Sequence, residues 1–165
     1  RLAIEADTTW RHHVAEAGAA GLKAARAIGM LTYRNYATFQ AKQTDPDPEK
    51  IDDFKASSYI NYQGQKLVNR FNAYSYWLLT KAMDSHHLAR GRGGNLIAVL
   101  QSIQQPTLII GISSDILCPL DEQQFMATYM PNAVLEIIHS TYGHDGFIIE
   151  TQQITDLLKP FIHQG

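Results

Sequence analysis

Two side chains in this sequence are of the types and at the places that acid–base chemistry needs. They are Asp115, in QPTLIIGISSDILCPL (105–120), and His144, in LEIIHSTYGHDGF (135–147). A carboxylate beside an imidazole fixes its tautomer and stabilises the imidazolium. The ring can then take a proton from a nucleophile and return it to a leaving group. Histidine suits both steps because its ordinary pKa lies near neutrality. On spacing alone, the same residues read more readily as a turn acid after a strand and a histidine in a surface loop. Asp145 follows His144 directly, with Gly146 behind it. That second carboxylate can bind a cationic group of a substrate, or cap a helix beginning near Phe147.

Such a pair needs a nucleophile. No serine in residues 1–165 lies in a G-x-S-x-G frame, which in the α/β-hydrolase order precedes the acid and the histidine. Cys118, beside Pro119, has no basic neighbour to lower its pKa and is expected to be packed rather than reactive. The sequence opens on Arg1, and RLAIEADTTW reads as the interior of a helix. The expectation is therefore a piece of a longer protein whose upstream part carries the nucleophile.

The elements that must position the pair are two strands. TLIIGI and VLEII are strand-length, Ile-rich runs bounded by Pro106, Ser113, Pro131 and Gly143. Continuous apolar runs suit strands covered on both faces, as in a mostly parallel sheet. Ligand-binding groups of such sheets gather past the carboxyl ends of the strands, where Asp115 and His144 fall. LDEQQFMATYM (120–130) between them is expected to be the crossover helix.

Upstream, 21–39, 50–71 and 73–86 have helical spacing, with Gly29 and Gly64 inside the first two. The loop QAKQTDPDPEK (40–50) carries two prolines. NLIAVLQSI (95–103) predicts a short helix. Residues 147–162 predict a terminal amphipathic helix that Pro160 bends or ends. The chain is expected to divide near its glycine-rich 88–94. Residues 1–88 would form a helical region, and 89–165 an α/β core of strands and flanking helices.

Composition excludes several classes. The net charge is −2, hydrophobic residues make up 45%, and there is one cysteine. That leaves no basic surface suited to nucleic acid, no internal disulfide and no apolar run long enough to span a membrane. His12, His13, His86, His87, His139 and His163 are scattered or adjacent, without acidic or cysteine partners at ligand spacing, so no metal site is expected.

Four separated blocks carry a family resemblance: GLKAARAIGMLTYRN (21–35), FNAYSYWLLTKAMDSH (71–86) with RGRG (90–93), GISSDILCPLDEQQ (111–124) and YGHDGFIIE (142–150). Together they resemble the C-terminal half of homoserine O-acetyltransferases, acyltransferases of methionine biosynthesis with the α/β-hydrolase fold. The resemblance implies a Ser–Asp–His triad, with Asp115 as acid, His144 as base and the serine upstream. It implies a ping-pong transfer in which acetyl-CoA acylates the serine and L-homoserine takes the acetyl group on its hydroxyl. Arg26 and Tyr33, two turns apart on a lid helix, are implied to lie near the homoserine, and Asp145 to contact its amine. A guanidinium suits a carboxylate and a carboxylate suits an ammonium, so a zwitterion calls for both.

The resemblance further implies a helical lid over 1–88 that contributes to a homodimer. It implies a cytoplasmic enzyme with no permanently bound cofactor, no nucleic acid and no membrane partner. Close alternatives are a succinyl donor, serine as acceptor, or water as acceptor in a hydrolase of the same fold. A non-enzymatic binding fragment is the remaining one. Two departures stand out. WRHHVAEAGAAG (10–21) is shorter than the family's usual approach to the lid helix, and Cys118 stands where the family commonly has a bulkier apolar residue.

Overall fold

The computed structural model describes residues 1–12 and 14–163. His13, Gln164 and Gly165 lie outside the described residues, and with His13 goes the reading of the adjacent pair His12 and His13. The chain divides into two compact units, Arg1–Leu31 with Phe39–His86, and Thr32–Thr38 with His87–Gly165.

The first unit is helical. It contains α1 (Leu2–Glu5), a 3-10 turn at Trp10–His12, most of α2 (Ala19–Tyr33), part of α3 (Tyr36–Gln43), α4 (Lys55–Val68) and α5 (Ala73–Ser85). Its centre is Ile4, Leu22, Leu67 and Ala73, walled by Trp10, Phe71, Tyr76 and Trp77. Trp10 stacks on Tyr74 with ring centroids 4.2 Å apart. Burying these large rings supplies most of the local driving force.

Small residues and polar ties set the helix positions. A Cβ on Gly21 would lie 2.4 Å from the carbonyl oxygen of Ala3, so glycine lets α2 approach α1. Asp7 accepts from the Thr9 hydroxyl at 2.7 Å and from the backbone N–H of Thr9 and of Gly21, each at 2.8 Å. The Thr9 hydroxyl, then those amides, hold the Asp7 carboxyl below its ordinary pKa. Asn72 caps α5 through the N–H groups of Tyr74 and Ser75. Gly64 does not interrupt α4, because its bare Cα faces Lys23, whose Cγ a Cβ would meet at 2.7 Å.

The second unit carries the strands. β1 (Thr107–Ile112) and β2 (Ala133–Ile138) pair in parallel, with Thr107 opposite Ala133 and Ile112 opposite Ile138. α6 (Leu96–Gln101), capped by Asn95, leads to β1, and α7 (Leu120–Tyr129) is the crossover between the strands. Leu100, Ile109 and Met130 form the buried centre, with Leu96, Ile103 and Leu135 against them. Among the described residues this unit is helices around a small parallel sheet of two strands.

Three expectations need correction. The helix expected over 21–39 is two helices, broken at Arg34–Asn35. Asn35 ends the run because its side chain accepts from the Ala37 N–H at 2.9 Å and starts α3 instead of continuing α2. The terminal helix is likewise split, into α8 (Gly146–Ile149) and α9 (Thr151–His163), at Glu150 with φ −81° and ψ 47°. Pro160 does not end α9. It lies near the helix end, and the helix runs on to His163.

Candidate active site

The residues just past β1 and β2 are bound to one another. Ser113 N–H donates to Ile138 O at 3.0 Å, extending the ladder one residue beyond the strand. The Ser114 hydroxyl accepts from Gly143 N–H at 3.0 Å, and the Ser140 hydroxyl accepts from Tyr142 N–H at 3.1 Å. The Ser114 hydroxyl thus fastens the Gly143–Asp145 turn to the end of β1, and the Ser140 hydroxyl braces the loop that leads into it. Sequence reading missed these serines because it looked for a nucleophile frame, and serines that hold loops have no such frame.

Asp115 is buried and fully engaged. Its Oδ1 accepts from the backbone N–H of Leu117 at 2.8 Å and of Cys118 at 3.0 Å. Its Oδ2 lies 2.8 Å from His144 Nδ1. The aspartate side chain is 4% exposed and the imidazole 26%. An ionised carboxylate only accepts, so Nδ1 carries the proton in this contact and the Nε2 lone pair is left for chemistry. A neutral imidazole oriented this way is a ready general base.

Residues 33–35, where α2 breaks, belong to this unit and line the turn. Gly143 has φ +65°, and a Cβ there would come within 3.0 Å of Asn35 N and 3.1 Å of Tyr33 O. Glycine is required both for the left-handed backbone and for that close approach. The Tyr33 ring lies 5.8 Å from the His144 ring and the Phe147 ring 5.3 Å from it, centroid to centroid. Thr38 Oγ1 donates to Thr141 O at 2.6 Å, fixing the same contact from α3.

Asp145 pairs with Arg34, Nε to Oδ2 at 3.0 Å, with both side chains largely covered. Arg34 went unremarked in the sequence, although it directly follows Tyr33. The structure therefore brings Tyr33, Asp115, His144 and Asp145 into one neighbourhood and adds Arg34. Arg26 belongs to the helical unit, where it lines a hollow with Gln63, Lys66, Leu67 and Arg70.

Cys118 is also here, and it is exposed rather than packed as the sequence suggested. The loop after Asp115 is shaped by the two N–H bonds to Oδ1. Its Sγ, a ring nitrogen of His144 and a carboxylate oxygen of Asp115 lie within 4.8 Å of one another. The residue is exposed as a whole but its sulfur is partly covered, and that partial burial, then the charges of Asp115 and Glu122, hold its thiol above the ordinary range. Among the described residues no helix is long and apolar enough to cross a membrane.

No family model matches the chain. Curated relatives do. The chain is 51% identical over 161 residues to homoserine O-acetyltransferase of Cyclobacterium marinum, a match spanning 98% of the chain and 45% of the relative. It is 44% identical over 167 residues to the enzyme of the same name from Chloroherpeton thalassium, spanning 99% and 44%. The chain thus spans less than half the length of these relatives. In three dimensions it resembles the crystal structure of homoserine O-acetyltransferase from Bacillus anthracis, with a TM-score of 0.84, 18% identity, and 97% and 46% of the two chains covered. It resembles esterase E22 with a TM-score of 0.82, also at 18% identity, covering 97% and 47%. These structural likenesses concern the fold.

Proposed function

The chain belongs to the homoserine O-acetyltransferase family, and on that premise we propose that it supplies the acid–base half of an enzyme moving an acetyl group from acetyl-CoA to L-homoserine. The observation that carries the proposal is the 2.8 Å contact between Asp115 Oδ2 and His144 Nδ1 at the ends of adjacent parallel strands. A serine from the part of the family's length outside this chain is the nucleophile. His144 Nε2 takes the serine proton as the serine attacks the thioester carbonyl, and the imidazolium returns it to the departing CoA thiolate. In the second half, His144 takes the homoserine hydroxyl proton, the oxygen attacks the acetyl-serine, and the proton goes back to the serine. Asp115 stays ionised throughout and stabilises the imidazolium.

Asp145, steadied by Arg34, holds the homoserine ammonium. Tyr33 lies near the acceptor, and Arg26 takes its carboxylate. The enzyme works in the cytoplasm as a homodimer built through its helical region.

The rival reading is transfer to water. A single assay separates the readings. The complete protein is given acetyl-CoA or succinyl-CoA, with homoserine, serine or no acceptor, and CoA release is followed. Release should be fastest with acetyl-CoA and homoserine together. Release at the same rate without an acceptor would make the protein a hydrolase.

A further inference from the structure

The chain has one cysteine, and it stands beside the candidate base. Cys118 Sγ, a ring nitrogen of His144 and an oxygen of Asp115 lie within 4.8 Å of one another. Around a zinc-sized cation, sulfur lies at about 2.3 Å and nitrogen or oxygen at about 2.0–2.2 Å, so ligand atoms sit roughly 3–4 Å apart. The Asp115–His144 edge, 2.8 Å between Oδ2 and Nδ1, has to open slightly as the cation displaces the shared proton, and the exposed Cys118 has to bring its sulfur in. The other two ligands already lie side by side. The Asp115 carboxylate is fixed through Oδ1 by two backbone N–H groups, one of them from Cys118 itself. That backing is the kind of outer-shell support that metal ligands require.

We infer that Asp115, Cys118 and His144 form a site for a thiophilic divalent cation of the zinc class, one that competes with the Asp115–His144 hydrogen bond. The stoichiometry is simple. The Cys118 thiol gives one proton to solvent as the sulfur–metal bond forms. The imidazole stays neutral: the cation takes Nδ1 in place of the proton shared with Asp115 Oδ2, and the ring proton moves to Nε2. Nothing is oxidised or reduced. The ring then offers no lone pair to a substrate hydroxyl, so an occupied site has no general base. The surroundings that make Cys118 a poor nucleophile favour this role. The negative charges of Asp115 and Glu122 attract a cation, and coordination deprotonates a thiol outright. The arrangement belongs to this chain's cysteine, and it went unseen in the sequence because Asp115 and His144 come together only through strand pairing.

The test is a titration of the reduced protein with Co²⁺, which reports its ligands by colour. One equivalent should give a thiolate-to-cobalt charge-transfer band and the visible bands of a tetrahedral ion, and added Zn²⁺ should bleach both. Cys118→Ser should abolish the charge-transfer band. His144→Gln, with its fold checked by circular dichroism, should weaken cobalt binding by about tenfold or more. The site is refuted if no band appears, or if the band survives His144→Gln and Asp115→Asn with unchanged affinity, since the sulfur would then bind cobalt alone. Because no turnover is involved, failure here leaves the acyl-transfer reading standing, and failure of that reading leaves the cobalt spectra unaffected.

Discussion

At the scale of the residue, the orientation of the Asp115 carboxylate decides which nitrogen of His144 carries the proton. Oδ1 receives two backbone N–H bonds, so only an oxygen is tolerated there. In Asp115→Asn the amide oxygen would take the Oδ1 place and the NH₂ group would face the imidazole. That group is a donor, so His144 Nδ1 would have to accept and its proton would move to Nε2. The expected result in the complete enzyme is a kcat about 10⁴-fold lower with KM little changed, read by steady-state kinetics with acetyl-CoA and homoserine. A loss below about tenfold would show that the tautomer does not matter. The positions of Asp115 and His144 were legible because each follows an apolar run ending in a turn, and parallel strands present such residues on the same side. Arg34 and the serine ties were not. Their partners lie across a strand register that no local pattern encodes, as with Ser114 and Gly143, 29 positions apart.

At the scale of the element, the turn after β2 and the break after α2 depend on each other. Gly143 bends back with φ +65°, and its Cα sits against the backbone of Tyr33, Arg34 and Asn35. An L-residue in that conformation costs about 1–2 kcal/mol. In Gly143→Ala the new methyl would also press on backbone atoms 3.0–3.2 Å away, which cannot rotate aside. The variant should lower the unfolding free energy by about 1–3 kcal/mol in urea titration. A midpoint equal to wild type would mean that segment 33–35 does not need this contact. β1, β2, α5 and α7 were legible because strand-length apolar runs, an apolar helix-length run and a helix-length segment between two strands are local signals. The breaks at Asn35 and Glu150 were not, since Asn35 leaves the helix to satisfy the next helix's N–H groups, while residues on both sides keep helical spacing. Cys118 was misjudged for a related reason: it lies in a loop shaped by hydrogen bonds to Asp115 Oδ1, not by its own polarity.

At the scale of the whole molecule, the chain has a small sheet with apolar side chains in water. Val134 and Ile137 on β2 are 52% and 45% exposed, although parallel strands are ordinarily covered on both faces. Two paired strands also leave free backbone edges, which invite further pairing. The isolated chain should therefore self-associate, and sedimentation at micromolar concentration should show species well above 18.5 kDa. A single monomer boundary would mean that this surface is tolerated in water. The chain's length relative to its relatives, less than half, fits that expectation. The central claim is that His144 moves the proton in both halves of an acyl transfer. It is tested most directly by His144→Ala in the complete enzyme, with serine acylation by acetyl-CoA and deacylation by homoserine timed separately. Both steps should slow by about 10⁴-fold or more, with the circular dichroism spectrum unchanged. A variant that acylates and deacylates at the wild-type rate would contradict the account.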